Sequence, residues 1–234
     1  LSHEMKTPLT SILGYADLLT MVEDLDPATR VTYANVILSE SKRLRTLSDK
    51  LMELITIGKI SSQEMHMLPV APLIQELELS VNPLLAQKHL ELVTLVEPFY
   101  LFADKALLQS MLYNFIDNAR KASAPNSRIL LQAAIKHGYP VLAVTDYGIG
   151  ISPEEIVHIT KPFYMVDKSR SRAEGGAGLG LTLCQEIAEL HHAKLHIHST
   201  LGKGTCIFVI FQPVSTERRS ASNGKANTKK KSNR

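Results

Sequence analysis

Asn114-Phe115-Ile116-Asp117-Asn118-Ala119-Arg120-Lys121 closes an apolar-periodic run that begins at Asp104. Leu108, Met111, Leu112, Phe115 and Ala119 recur at steps of three and four, so the spacing predicts an amphipathic helix over 104–122. Asn114, Asn118 and Lys121 stand at i, i+4 and i+7 and share its polar face. Two amide oxygens and an ammonium on one stripe suit a polyphosphate with Mg²⁺, a cation that takes few protein oxygens and keeps its waters. A merely solvated helix face would account for Lys121. It accounts poorly for two aligned Asn, which are weak helix formers.

Downstream, Arg128–Ile135 and Val141–Thr145 are β-rich. Asp146-Tyr147-Gly148-Ile149-Gly150-Ile151 follows the second strand directly. Its glycines allow close backbone approach, and a carboxylate at a strand end can accept from an exocyclic amine such as adenine carries. Pro153–Thr160 reads as a short helix capped by Ser152, and 161–178 as loop. Gly175-Gly176-Ala177-Gly178-Leu179-Gly180-Leu181 then opens a helix over 179–191. Bare amides at a helix N-terminus make an anion site. The loop lacks the Gly-Lys-[Ser/Thr] of a Walker A motif and the strand–turn–helix start of a dinucleotide fingerprint. Lys194–His198 and Cys206–Phe211 form a hairpin around Gly202-Lys203-Gly204-Thr205. Upstream, Pro72–Gln87 is helical, and Leu90–Val96 and Tyr100–Ala103 are strand-like. The expected fold class is α+β: an α/β sandwich over 69–214, preceded by helices.

Residues 1–57 have a different period. Met5, Ile12 and Leu19, with Leu9 and Ala16, make an a/d seam on one helix, which Pro8 should kink. Asp26 and Pro27 mark the start of a second helix, running to Ile57, with its seam at Ile37, Leu44 and Leu51 beside Tyr33, Leu47 and Leu54. Two antiparallel helices bury little alone, so the expectation is a homodimer forming a four-helix bundle. Ser2-His3-Glu4-Met5-Lys6-Thr7-Pro8 places His3 off the seam, hence exposed. A neutral imidazole is a good nucleophile toward phosphorus, and Glu4 is placed to hold the proton its second nitrogen sheds. Residues 58–68 read as a linker.

The bulk composition fits a globular protein, with 44% hydrophobic and 21% charged residues. The net charge of +3 arises in residues 215–234, where seven Lys and Arg face one acid, Glu217. The first 214 residues hold 19 bases and 22 acids, so nucleic acid is not an expected partner. The tail reads as a disordered basic terminus. Cys184 and Cys206 lack metal or redox spacing and read as buried free thiols. His196 and His198 alternate with Leu195 and Ile197, so they occupy one face of a strand; with His191 and His192 they make a poor metal set. No apolar run approaches the roughly 18 residues of a membrane span. The chain opens at Leu1 inside a helical pattern, so missing upstream parts are expected.

Taken in order, these segments resemble the H, N, G1, F and G2 boxes of sensor histidine kinases, over roughly residues 1–212. The resemblance implies a dimerisation and phosphotransfer hairpin followed by a gyrase-type ATP-binding domain, in the cytoplasmic part of a membrane-bound sensor. It implies ATP and Mg²⁺ as cofactors and a response-regulator receiver domain as partner. His3 would accept the phosphoryl group, Glu4 would act as base, and Thr7 would serve a reverse phosphatase reaction. Asn118 would be the principal Mg²⁺ ligand, with Asn114 near and Lys121 on the phosphates. Asp146 would read the adenine amine, Gly148 and Gly150 would make room for the base, and Thr205 would support that site. Phe163 would anchor a lid over Met165–Gly176, disordered until nucleotide binds, while Gly176, Gly178, Leu179 and Gly180 would wrap the phosphates. Hydrolytic relatives carry a Glu where Asn114 stands here, and an amide cannot be a general base, so transfer should win over hydrolysis. Two positions depart from the family pattern: Met165 replaces a frequent Arg, leaving Lys168, Arg170 and Arg172 as lid cations, and Ala122 replaces a frequent aromatic. A net phosphatase and a non-catalytic adaptor are the competing readings; the intact His3, Asn118, Asp146 and glycines argue against the adaptor.

Overall fold

A computed structural model describes residues 2–57, 65–167 and 176–213. Most of the expected linker and lid, with Lys168, Arg170 and Arg172, and the whole basic tail lie outside the described residues. In chain order the elements are α1 (Ser2–Met21), α2 (Pro27–Ile57), β1 (His66–Pro69), α3 (Val70–Ala86), β2 (Glu91–Val96), β3 (Tyr100–Ala103), α4 (Lys105–Ala122), β4 (Arg128–Lys136), β5 (Tyr139–Asp146), α5 (Pro153–Ile156), α6 (Gly180–Leu190), β6 (Lys194–Thr200) and β7 (Gly204–Ile210). Contacts divide the chain into two units, residues 1–58 with 158–183 and residues 59–157 with 184–234.

In the first unit α1 and α2 pack as a hairpin. The Asp26 carboxylate accepts from the backbone N–H of Ala28 and Thr29, each at 3.0 Å, and so caps α2. The seam of α2 turns inward as its spacing predicts, with Leu47 and Ile57 buried and Tyr33, Ile37, Leu44, Leu51 and Leu54 half-buried. On α1 the inward positions are Pro8, Ile12, Tyr15, Ala16 and Leu19, and Tyr15 meets Tyr33 with ring centroids 5.2 Å apart. Met5 and Leu9, expected in the same seam, are exposed, as are Leu13 and Leu18.

The second unit is built on a five-stranded sheet of order β2-β4-β5-β7-β6, in which only β2 and β4 run parallel. α3 packs on β2 and α4 on β4, β5 and β7. The apolar stripe of α4 (Leu108, Met111, Leu112, Phe115 and Ile116) is fully buried, with Leu73, Ile74 and Leu77 of α3 and Ile129, Leu131 and Leu142 of the sheet. At roughly 1.5–3 kcal/mol for each large side chain removed from water, this layer dominates the unit's stability. Asp104 caps α4 by accepting from the Leu107 N–H at 2.9 Å.

Three local readings change. β1 falls within the expected linker and pairs antiparallel with β3, more than thirty residues later. Its His66-Met67-Leu68-Pro69 has no alternation to mark it; the partner strand creates it. α5 stops at Ile156, and Ser152 makes no side-chain cap hydrogen bond there. Of the two free thiols, Cys184 is buried but Cys206 is only half-buried.

His191, one of the four clustered histidines, is buried at the end of α6 and ties it to α4. Its Nδ1–H donates to the Ile187 carbonyl at 2.7 Å, and its Nε2 accepts the Asp104 N–H at 3.1 Å. The ring is therefore neutral in a fixed tautomer. Burial pushes its pKa down, opposed in part by the Ile187 bond and the Asp104 charge. A depressed histidine leaves stability intact above the ordinary imidazole value of about 6.5, because both states are then neutral. As pH falls below that value only the unfolded chain gains the proton. We expect unfolding free energy to fall by up to about 1.4 kcal/mol per pH unit from this group. In denaturant titrations between pH 7 and 5, His191→Gln should show a visibly shallower decline.

Candidate active site

In the second unit several of the expected site residues lie on α4 and at the end of β5, where the loop after β5 meets the end of α4. Asn114 is buried, and its amide Nδ2 donates to the Ser110 carbonyl at 2.8 Å. One turn on, Asn118 is half-buried and its carboxamide makes no hydrogen bond among the described residues. Lys121 is held 2.7 Å from the Asp117 carboxylate, which Arg120 contacts at 2.9 Å. Burial pushes the Asp117 carboxyl up, but Lys121 and Arg120 together hold it below the usual range. Lys121 thus starts from an ion pair on its own helix, and a phosphate would compete with Asp117 for it.

Asp146, the last residue of β5, is buried. Burial raises its pKa, although its carboxylate accepts from the Gly148 N–H at 2.9 Å and from the Thr205 backbone. The glycines after it have a structural reason for being glycine. A Cβ on Gly148 would overlap the Ala122 carbonyl; one on Gly150, at φ +66°, would overlap the Thr200 carbonyl. They make room first for the protein's own backbone, folding the loop against the end of α4 and the β6–β7 turn. Ile149 N–H donates to Ala122 and Gly202 N–H to the Ile149 carbonyl, which locks that path.

Thr205 is buried, and Ser199, which sequence reasoning missed, organises its surroundings. The Ser199 hydroxyl donates to the Gly204 carbonyl at 2.9 Å and accepts from the Ile151 N–H at 2.8 Å. With its one proton committed, it accepts from the Thr205 hydroxyl, also at 2.8 Å. A serine on a strand carries no mark of this role; only the β6–β7 register, Ser199 opposite Thr205, reveals it.

The glycine loop is described in the first unit. Phe163, at φ +65°, donates its N–H to the Gly178 carbonyl at 2.8 Å. Gly178 is itself at φ +68°, and a Cβ there would lie 2.7 Å from the Phe163 carbonyl carbon. Leu179 and Ala177 are buried in a cluster with Leu47 of α2, against which Phe163 and Leu54 pack. Leu179 and Phe163 therefore anchor the loop by apolar packing, while Gly176 and Gly180 remain half-buried at its ends.

On α1, His3 is exposed and makes no side-chain hydrogen bond among the described residues. The Thr7 hydroxyl donates to the His3 carbonyl at 3.1 Å. Glu4 is half-buried, with its carboxylate 3.5 Å from Arg43 of α2. Arg43 is a second residue that sequence reasoning missed, because its partner is 39 positions away. Among the other histidines, His196 stacks on Phe208 with centroids 5.1 Å apart and His198 meets it edge-on. Among the described residues no three His, Cys, Asp or Glu converge on a metal.

Residues 1–59 match the His Kinase A phospho-acceptor domain, and residues 103–216 match the histidine kinase-, DNA gyrase B- and HSP90-like ATPase. Over 221 residues the chain is 33% identical to the signal transduction histidine-protein kinase ArlS of Staphylococcus aureus (strain USA300), covering 90% of this chain and 47% of that protein. The chain belongs to the sensor histidine kinases of two-component systems. It spans about half the length of the curated relatives it matches. Among solved histidine kinases it resembles full-length ShkA in complex with AMPPNP, at 25% identity and TM-score 0.64, over 92% of this chain and 46% of that one. The fold also recurs in ThkA in complex with the response regulator protein TrrA, at 22% identity and TM-score 0.71, over 91% and 60%. Acinetobacter baumannii AdeS shares it at 18% identity and TM-score 0.70, over 91% and 98%.

In this kinase core the buried Asp146 can be tested apart from the fold. A carboxamide removes the burial cost of the charge and still accepts the Gly148 N–H. Asp146→Asn is expected to melt within a few degrees of wild type by calorimetry, yet to lose about tenfold or more in ATP affinity, the worth of one charge-assisted hydrogen bond.

Proposed function

We propose that this chain autophosphorylates on His3 with ATP and passes the phosphoryl group to an aspartate of a response-regulator receiver domain. The observation that carries the reading is the pairing of an exposed His3, its ring without a partner among the described residues, with a half-buried neighbouring carboxylate, Glu4. A ring nitrogen of His3 would bond to the γ-phosphorus as the bond to the bridging oxygen breaks and ADP departs. Glu4 would hold the proton on the other nitrogen, which maintains the attacking lone pair. Asp146 would accept the adenine amine, and Lys121 would move from Asp117 to the phosphates.

The donors fit Mg²⁺ carried on a nucleotide. Asn118 offers a neutral amide oxygen with no competing partner among the described residues, and Asn114 stands one turn away on the same helix. The ion would neutralise charge on the phosphates. Asn114 also supplies no base for water, which favours transfer to His3 over hydrolysis. The same Thr7 hydroxyl that donates to the His3 carbonyl has lone pairs left to orient a water toward a regulator's acyl phosphate, which supports a second, phosphatase activity. The protein would act as the cytoplasmic part of a membrane sensor. No described helix is long and apolar enough to cross a membrane.

With labelled ATP, His3→Gln should retain nucleotide binding and take up no acid-labile phosphate, whereas Asn118→Ala should lose both. Thr7→Ala should still be phosphorylated but dephosphorylate the regulator several-fold more slowly. Loss of both activities in Thr7→Ala would assign Thr7 to helix structure alone.

The exposed Met5, Leu9, Leu13 and Leu18 of α1 and Leu38, Met52 and Ile55 of α2 support a homodimer that completes a four-helix bundle. Light scattering at micromolar concentration should give twice the chain mass of 25.9 kDa. A charge placed at Leu13 should shift it toward monomer.

A further inference from the structure

We infer that Arg43 is a positioning residue for the phosphotransfer reaction, acting through Glu4; the inference rests on the reading of Glu4 as the base for His3. Arg43 lies in the middle of α2 and is only 7% exposed. Its Nη2 stands 3.5 Å from Oε2 of Glu4 on α1, and its Nη1 stands 3.4 Å from Oε2 of Glu40 on its own helix. Both contacts are at the outer edge of hydrogen-bond range and act chiefly as ion pairs. A guanidinium buried between two helices needs a counter-charge, and Glu40, three residues back, supplies one without leaving α2. The contact across to Glu4 is therefore not required to satisfy Arg43. Its consequence falls on Glu4.

A glutamate has three rotatable side-chain bonds, and one held by nothing samples many rotamers. The Arg43 contact engages Oε2 of Glu4 and draws the side chain toward α2, and Oε1 is the oxygen that would serve His3. Holding a base in one place lowers the barrier by reducing the orientational freedom lost on reaching the transition state. Arg43 itself need not touch His3 or the nucleotide. The guanidinium suits this task because its planar, permanently charged fork can face two carboxylates at once, which a lysine ammonium does less well.

The test measures autophosphorylation of the whole chain at saturating ATP, in wild type and in Glu4→Gln. Arg43→Met keeps the apolar stem and removes the charge. In wild type it should slow the rate constant about tenfold, with the half-saturating ATP concentration changed less than about twofold. Arg43→Lys should recover part of the loss. In the Glu4→Gln background Arg43→Met should cause no further slowing, because the group it positions is already gone. If Arg43→Met slows Glu4→Gln by the same factor as wild type, Arg43 is a structural strut and the proposal is wrong. If Arg43→Met is as fast as wild type while Glu4→Gln is slow, the positioning role falls and the base reading stands. If Glu4→Gln is itself as fast as wild type, the base reading falls and takes the proposal with it. Should Arg43→Met fail to fold by circular dichroism, Arg43→Lys in the same two backgrounds carries the comparison with the same outcomes.

Discussion

Burial of the apolar stripe of α4 against the sheet is the constraint on which the nucleotide-binding unit depends. Leu108, Met111, Leu112, Phe115 and Ile116 are all sealed from water, so the helix has no freedom to rotate about its axis. A turn of one position would expose several kcal/mol of apolar surface. Because the roll of the helix is fixed, so is the direction of its polar stripe. Asn118 and Lys121 are half-buried on the side the core leaves over, and Asp146 ends β5, whose following loop meets the end of α4 at Ala122. The site is thus a by-product of core packing, with the chemistry on the face that the core leaves over.

The same economy governs the loop after β5. The family resemblance implies that Gly148 and Gly150 make room for a ligand, but any Cβ there would strike the Ala122 and Thr200 carbonyls first. The chain must pass tightly between the end of α4 and the β6–β7 turn. That passage also brings the Gly148 N–H to the Asp146 carboxylate and fixes the side chain that would face adenine. Ser199, Thr205 and the Ile151 N–H complete the floor through a chain of hydrogen bonds in which every hydroxyl proton has one acceptor.

In the other unit the hairpin divides its apolar residues between two tasks. The α2 seam and Ile12, Ala16 and Leu19 of α1 meet inside the pair, while Met5, Leu9 and Leu13 stay outside. The lower part of α2 takes the Phe163, Ala177 and Leu179 cluster onto Leu47 and Leu54. Here an apolar anchor and two left-handed residues, Phe163 and Gly178, shape the loop's approach.

What the sequence determined by itself was local and periodic. The extent of α2 and α4, the capping of α2 by Asp26, the β6–β7 turn and the order of the glycine motifs follow from spacing and turn chemistry, which act over a few residues. Exposure of His3 was legible for the same reason. The tertiary structure alone decided whatever depends on residues far apart in the chain. It made a strand of His66–Pro69 by offering Tyr100–Ala103 as partner, set the tautomer of His191 through the Asp104 N–H, placed Ser199 at the centre of a network, and brought Arg43 to Glu4. No periodicity announces such pairs, because each side chain looks ordinary on its own helix or strand. Their meaning comes from the desolvation that packing imposes, which obliges every buried polar group to find a partner wherever in the chain one stands.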